Sequence, residues 1–500
     1  MSNYTTTQPL YFDVQQKTDK QHILDNPDTY IGGIDVVEQC AWVMSEDDTI
    51  VERNIQYPPA LFKLFDEGIV NCRDHAVRMH NKIVANVPDS LPVTFINVDI
   101  CNDGTFILTN DGNGMDVAKH PDTDVWIPEL IFGHLRTSTN YNKDEKKIVG
   151  GKNGFGFKLV LIWSSYGCIE TVDHIRGLKY VQEFKDNLNE ICHPIITKCA
   201  KKTKPYTKIT FKPDYRRFEF PELTTDVIAL LKRRVYDIAA VSMQHIKVKC
   251  NEQIIPVKNF MQYIDLYIGN KSTTQRAIEC PSDRWEYGVA LNPKHEFSQI
   301  SFVNGIHTSK GGKHVEYIMG QITRKLSELI EKKKKIKVSP SNIREQLILF
   351  LRCDIENPAF ESQTKDYMNT PPSKFGSRCE VSDKFIDKLA KMGIVDIACA
   401  LSDVKQAKII KKTDGVKTGS VKGIVKLTDA NWAGTNKSSQ CTLIFCEGDS
   451  AKTGVISGLS SSDRNTIGVY PLKGKCMNVR GETSTHINKN KEIAEIKTRS

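Results

Sequence analysis

The stretch LFDEGIVNCRDHAVR, Leu64 to Arg78, carries a carboxylate, an amide and a second carboxylate, Glu67, Asn71 and Asp74, at i, i+4 and i+7. On a helix, at 100° per residue, they lie within about 60° of one another. Leu61, Leu64, Gly68, Ile69 and Cys72 fall on the neighbouring face. A carboxylate beside an apolar stripe is costly to desolvate unless something polar meets it. Two readings stand: a polar helix edge that reaches solvent, or a site. In a site, Glu67 can orient and polarise a water as a general base. Asn71 offers a neutral carbonyl oxygen, suited to Mg2+ carried on phosphates.

Two further stretches have matching chemistry. In TNDGNGM, Gly112 and Gly114 allow close approach of the backbone to a flat ligand, and Asn110 has the donors and acceptor that match a purine edge. Alone, Asn-Asp-Gly is also an ordinary turn. GGKNGFGFKL, Gly150 to Leu159, is not a Walker A loop, because Phe157 follows Gly156 where Gly-Lys-Ser/Thr is required. It does fit a glycine-rich cradle whose N–H groups, at a helix N-terminus, receive phosphate oxygens. Just upstream, Ser138, Thr139 and Asn140 in RTSTNY add donors. One glycine-rich loop is weak evidence, whereas three such elements in order are strong.

These residues need a scaffold, and the sequence supplies the pattern of one. VTFINVDICNDGTFILTNDGNGM reads as two alternating strands joined in a hairpin, and KYVQEF and YTKITFKP as further strands. KLVLIW is a buried helix or strand, and residues 224–243 have helical periodicity. QHILDNPDTYIGGIDVV is a helix running into a turn. WEYGVALNP, QISFVNGIHTS and REQLILFLRCDI read as strands around a long amphipathic helix, HVEYIMGQITRKLSELIEKKKK, whose lysine end suits a helix C-terminus. After the break at TPPSKFGS and a polar stretch at 411–438, CTLIFCEGDSAKTGVISGL reads as a buried strand, a tight turn and a helix start. Mid-helix, a larger apolar residue than Gly68 is expected, since glycine is a poor helix former.

The 500 residues, 39% hydrophobic and 26% charged, are of globular composition and predict about three domains. No apolar run reaches the roughly 18 residues of a membrane span, and the N-terminus lacks the apolar core of a secretory signal. The 14 cysteines include no Cys-x-x-Cys, which predicts neither disulfides nor structural zinc. The net charge of +9 says little, but lysines cluster at 332–335, 408–426 and 473–475, which leaves polyanion binding open beside the plainer reading of solvated faces. His134, His307 and His314 lack metal-ligand spacing and read as structural.

The ordered motifs Glu-x-x-x-Asn-x-x-Asp, Asn-x-Gly-x-Gly and the glycine-rich lid resemble the GHKL ATPase superfamily. More narrowly, PALFKLFDEGIVNCRDH, ELIFGHLRTSTNYNKDEKKIVGGKNGFGFKL, ENPAFESQTKDYM and IFCEGDSAKTGVISGL with GVYPLKGKCMNVR are similar to eukaryotic-type DNA topoisomerase II, from about residue 18 to the end. The resemblance implies an α+β and α/β multidomain chain: an N-terminal arm (1–20), a GHKL (Bergerat) ATPase sandwich (21–258), a transducer α/β domain (259–410), a linker (411–438) and the start of a Toprim α/β domain (439–500). It implies ATP and Mg2+, with Glu67 activating water, Asn71 holding Mg2+, Asn110 meeting adenine and Asp74 in support. Ser138, Thr139, Asn140 and the run Gly151, Lys152, Asn153, Gly154, Phe155, Gly156, Phe157 and Lys158 would wrap ribose and phosphates. Gln363, Thr364 and Lys365 resemble transducer residues that reach the γ-phosphate, so that an ion pair from Lys365 couples hydrolysis to domain rotation.

The resemblance further implies double-stranded DNA as partner, a homodimer and no membrane. Glu447 resembles the Toprim glutamate, a Mg2+ ligand and acid/base group in DNA cleavage. One carboxylate cannot make a two-metal site, however, and no tyrosine stands in the family's DNA-cleaving context, so strand cleavage by residues 1–500 alone is not expected. Lys332, Lys333, Lys334 and Lys335 would face the DNA gate, and Lys473 and Lys475 would lie near bound DNA, binding it without regard to sequence. The expected setting is intracellular: the nucleus for a cellular eukaryotic source, a cytoplasmic replication site or virion for a large DNA virus. Other GHKL proteins (a mismatch-repair clamp, a chaperone, a histidine kinase) share the pocket but not the Toprim strand. A fragment that only binds DNA or a partner is the non-enzymatic alternative.

Overall fold

The computed structural model describes residues 16–137, 147–151, 156–200, 202–400, 427–474, 477–480, 482–490, 493–494 and 496. Ser138, Thr139, Asn140, Lys152, Asn153, Gly154, Phe155, Lys475, most of the N-terminal arm and residues 411–426 of the expected linker lie outside them. Contacts divide the chain into two compact units, residues 1–335 with 343–394, and 336–342 with 395–500.

The first unit begins with two short helices, α1 (Asp19–Asp25) and α2 (Pro27–Tyr30), and a hairpin of β1 (Val37–Met44) and β2 (Ile50–Tyr57). Helix α3 (Pro59–Val84) follows, with proline at its first position, where a missing N–H costs nothing. The expected hairpin is β3 (Phe95–Ile100) and β4 (Phe106–Asp111), antiparallel with Ile96 opposite Asn110. After α4 (Ile127–Gly133), the ambiguous KLVLIW is settled as helix, α5 (Gly156–Ile162). Then come β5 (Ser164–Asp173), β6 (Leu178–Lys185), β7 (Glu190–Ile191), β8 (Ile195–Lys198) and β9 (Tyr206–Pro213). Thr224 caps α6 (Thr225–Val241) by accepting from the Val227 N–H, and β10 (Lys247–Cys250) and β11 (Gln253–Ile254) complete a nine-stranded sheet.

Its order is β11-β10-β3-β4-β9-β5-β6-β7, with β8 beside β6; β10 and β3 run parallel and the other pairs antiparallel. Helices α3, α5 and α6 pack together with this sheet around an aromatic core in which Phe65 meets Phe106, and Phe211 meets both Phe106 and Phe157. The glycine at position 68 now has its reason. A Cβ there would come within 2.6 Å of Leu108 Cδ1, so glycine lets α3 settle onto β4.

The same unit holds a five-stranded sheet ordered β12-β13-β16-β14-β15, made of β12 (Arg276–Ser282), β13 (Trp285–Leu291), β14 (Ser298–Val303), β15 (Ile306–His307) and β16 (Leu347–Cys353). Helix α7 (Phe260–Ile268) precedes it, and α8 (Lys313–Lys334), the long amphipathic helix, lies within it in sequence. His314 is fully buried in α8 and bonds Thr308, as a structural histidine should.

In the second unit, β17 (Thr442–Glu447) and β18 (Ile467–Leu472) are parallel, linked through α9 (Gly448–Gly458), a βαβ arrangement. The reading of a buried strand at CTLIFCE is corrected here. Among the described residues β17 has a single neighbouring strand, its residues are exposed or half-buried, and Phe445 keeps 43% of its surface.

Candidate active site

Helix α3 places the row Glu67, Asn71 and Asp74 inward, and the solvent-edge reading does not hold. Glu67 is 6% exposed and Asp74 3%. A buried carboxylate must be met by donors or cations, and each one is. Glu67 Oε1 lies 2.7 Å from Lys365 Nζ and 2.9 Å from Lys63 Nζ. Burial pushes the Glu67 carboxyl up, but the two lysines outweigh it and hold it below its ordinary value. Asp74 accepts from the backbone N–H of Gly150 through both oxygens and of Gly151, all at 2.9 Å. It thereby holds the start of the glycine-rich stretch, although burial raises its carboxyl above the usual value. Asn71 Nδ2 donates to the Glu67 carbonyl at 2.6 Å, which leaves Oδ1 as the acceptor turned away from the helix bond.

The described ends of the glycine-rich stretch flank this row. A Cβ on Gly156 would stand 3.0 Å from Glu67 Oε2. Phe157 packs into the core, and Lys158, 4% exposed, donates to the Thr137 carbonyl at 2.5 Å. Burial lowers the Lys158 ammonium to about 8. At the end of β4, Asn110 is 5% exposed, and its Nδ2 donates to the Asp111 carbonyl. Gly112 adopts φ +93°, and a Cβ on Gly114 would sit 2.0 Å from the Val172 carbonyl oxygen. The two glycines therefore serve a turn and a backbone-on-backbone contact with β5 within the protein itself.

Lys365 comes from far along the chain. It is 7% exposed and has a left-handed φ of +63°, a strained conformation for a non-glycine residue. Around it, Thr364 donates to Asp366, and Gln363 is half-buried. The loop is laced to the start of α8: Lys310 N–H donates to the Asp366 carbonyl, Met368 N–H to Gly311, and Lys313 N–H to Met368. At the far end of α8, Lys332, Lys333, Lys334 and Lys335 are exposed, and Lys335 ends the helix at φ +58°.

Sequence reasoning missed Lys63. It is 6% exposed and bridges Glu67 and Asp66, and Asp66 accepts from Arg234 Nε at 2.7 Å. Arg234 continues to the Gly305 carbonyl and, at 3.6 Å, to Asp237, which accepts from Tyr263. The signal was present, because Lys63 stands four residues before Glu67 on the same row.

The second unit presents Glu447 at the end of β17, just before α9, with its side chain exposed. Lys473 is exposed just after β18. Among the described residues no group of three or more His, Cys, Asp or Glu side chains is placed to hold a metal.

A mixed sheet packed with α3, α5 and α6, with a carboxylate–amide–carboxylate row whose Asp74 holds the backbone of Gly150, defines the GHKL ATPase-type fold. Residues 258–414 match the DNA gyrase B family. DNA topoisomerase 2 of Arabidopsis thaliana is 43% identical over 97% of this chain and 32% of its own length, and that of Acanthamoeba polyphaga mimivirus 41% identical over 97% and 38%. The crystal structure of the ATPase region of Saccharomyces cerevisiae topoisomerase II superposes with a TM-score of 0.72 at 40% identity, covering 78% of this chain and 98% of that one. The chain belongs to the eukaryotic-type DNA topoisomerase II family. It spans about a third of the length of the curated relatives it matches, 32% and 38% of the two named here.

Proposed function

We propose that this chain is the nucleotide-driven part of an ATP-dependent type II DNA topoisomerase, which passes one duplex through a transient double-strand break in another and so relaxes and decatenates DNA. The observation that carries the reading is the meeting of Glu67 and Lys365 at 2.7 Å, from a helix and a loop 298 residues apart. Glu67 would take the proton of the attacking water, and Lys365, with Gln363 and Thr364 beside it, would meet the terminal phosphoryl group. Asp74 fixes Gly150 and Gly151, Asn110 would read the adenine edge, and Ser138, Thr139, Asn140 and residues 151–158 would wrap ribose and phosphates. Asn71 fits a magnesium ion, because its amide nitrogen is already engaged and a hard cation takes the oxygen. When bound, Mg2+ would neutralise phosphate charge.

We assign residues 21–258 to the ATPase domain, 259–410 to the transducer, 411–438 to a linker and 439–500 to the start of a Toprim domain. In that domain Glu447, at a strand end, would hold Mg2+ for DNA cleavage, with carboxylates from elsewhere. Helix α8 supports the coupling of nucleotide to DNA: its start is bonded to the Lys365 loop and its end carries the lysine cluster. Lys332 to Lys335, Lys473 and Lys475 would contact DNA phosphates. ATP would close a homodimer around one duplex. No helix among the described residues is long and apolar enough to cross a membrane. With relatives in a plant and in a large DNA virus, the setting we propose is the nucleus for a cellular source, and a cytoplasmic replication site or virion for a viral one. A mismatch-repair clamp or chaperone reading finds no support in the relatives.

The test is Glu67→Ala. ATP turnover should fall at least a hundredfold, the lower part of the range for a lost general base (about 10²–10⁴), while nucleotide-dependent dimerisation, followed by light scattering, persists. Unchanged turnover overturns the assignment.

A further inference from the structure

We infer that Arg73, buried and ion-paired with the half-buried Asp354, is a positioning residue that fixes the root of the Lys365 loop to the helix that carries Glu67. The inference rests on the roles proposed above for Glu67 and Lys365.

Arg73 Nη2 donates to Asp354 Oδ1 at 2.7 Å, and Arg73 is 5% exposed. Asp354 follows β16 directly and starts the irregular stretch that leads to Lys365. That stretch is held at its beginning. Asn304 takes the Ile355 N–H at 2.8 Å and donates to its carbonyl at 2.9 Å, and the Asn357 N–H donates to the Lys147 carbonyl at 2.9 Å. Its tip, Lys365, meets Glu67. Glu67 and Arg73 are six residues apart on α3, about 9 Å along the axis. One rigid helix therefore grips the loop twice, at root and tip.

Stability does not explain the arginine. Among the described residues its Nε and Nη1 are buried without a hydrogen-bond partner, although Nη1 lies 4.0 Å from Asp74 Oδ1. Buried donors left unpaired are costly, and a buried ion pair is weak evidence of stabilisation. Room for the side chain comes from Gly305 (φ +78°), where a Cβ would lie 2.7 Å from Arg73 Cδ. What the pair does supply is register. A lysine that must meet a transferring phosphoryl group tolerates little displacement, and an error of about 1 Å can cost on the order of a hundredfold in rate.

The experiment uses the 500-residue chain with Asp354→Asn, and with the paired replacement Arg73→Ala/Asp354→Leu, which removes both charges together and should preserve folding if the single variant does not. ATP turnover, ADP affinity by calorimetry and melting temperature are measured for each. The expected result is a kcat about tenfold lower with ADP affinity within about twofold of the unmodified chain, because ADP lacks the phosphoryl group that Lys365 would meet. An unchanged kcat in the paired variant overturns the inference. So does an equal loss of kcat and ADP affinity, which would place the pair in support of the glycine-rich segment. No turnover in the unmodified chain would overturn the nucleotide reading itself, and the inference with it.

Discussion

Glu67 and Glu447, both singled out by their sequence contexts, stand in opposite surroundings. Glu67 is 6% exposed and ion-paired with two lysines, one from its own helix and one from a remote loop. Glu447 is exposed at a strand end, in a unit whose described sheet has two strands. The first arrangement is preorganised, since Glu67 already has its counter-charges in Lys63 and Lys365. The second offers one carboxylate and leaves the rest of any metal site to be supplied. A motif match therefore says that a residue type stands in the right place, and burial says whether the surrounding chain has been built to use it.

The contrast can be broken in three ways. The largest effect is expected from Lys63→Met, which removes the cation shared by Asp66 and Glu67. Urea unfolding should show a loss of about 3 kcal/mol, the low end for a broken buried pair because Arg234 and Lys365 remain. A loss below about 1 kcal/mol would mean that this cluster is wetter than its burial implies.

The next effect is acid sensitivity. Burial holds the His314 imidazole at about 3, against an ordinary value of 6.5. Its folded value is depressed, so the unfolded chain binds the proton more readily between these limits. The stability is fully present above pH 6.5 and declines as pH falls toward 3. His314 should account for about 2 kcal/mol of loss between pH 7 and 5. In His314→Gln, the pH dependence of urea midpoints should flatten by that amount, and an unaltered slope would remove His314 as the cause.

Glu447→Ala should have the smallest effect, within about 0.5 kcal/mol in stability, as for an exposed side chain. ATP turnover should be unaffected, and a measurable fall would show that the exposed carboxylate takes part in the first site.

Much of this architecture was legible beforehand. The β3–β4 hairpin and α8 follow from patterns of period 2 and 3.6, and the shared row of Glu67, Asn71 and Asp74 from side-chain spacing, which left open whether that row turned inward or to solvent. What sequence patterns could not resolve was set by distant contacts. After Lys158 the stretch LVLIW is apolar throughout, and only its packing beside α3 made it a helix. Gly68 looked misplaced until Leu108 appeared beside it. The spacing of Lys63 to Glu67 was visible, but a helical pattern cannot show that Asp66 will be tied to Arg234, 168 residues later. The exposure of β17 escaped for a related reason: an apolar run records a tendency to be covered, not the cover.

Helix α3 carries the proposed base and the proposed metal-binding amide, the anchor for Gly150 and the grip on Asp354 between positions 67 and 74. Each added residue turns everything downstream by about 100°. Substitutions in this segment can therefore be absorbed one at a time, but a single insertion or deletion would aim several groups elsewhere at once. Natural variation here should change letters and leave length untouched.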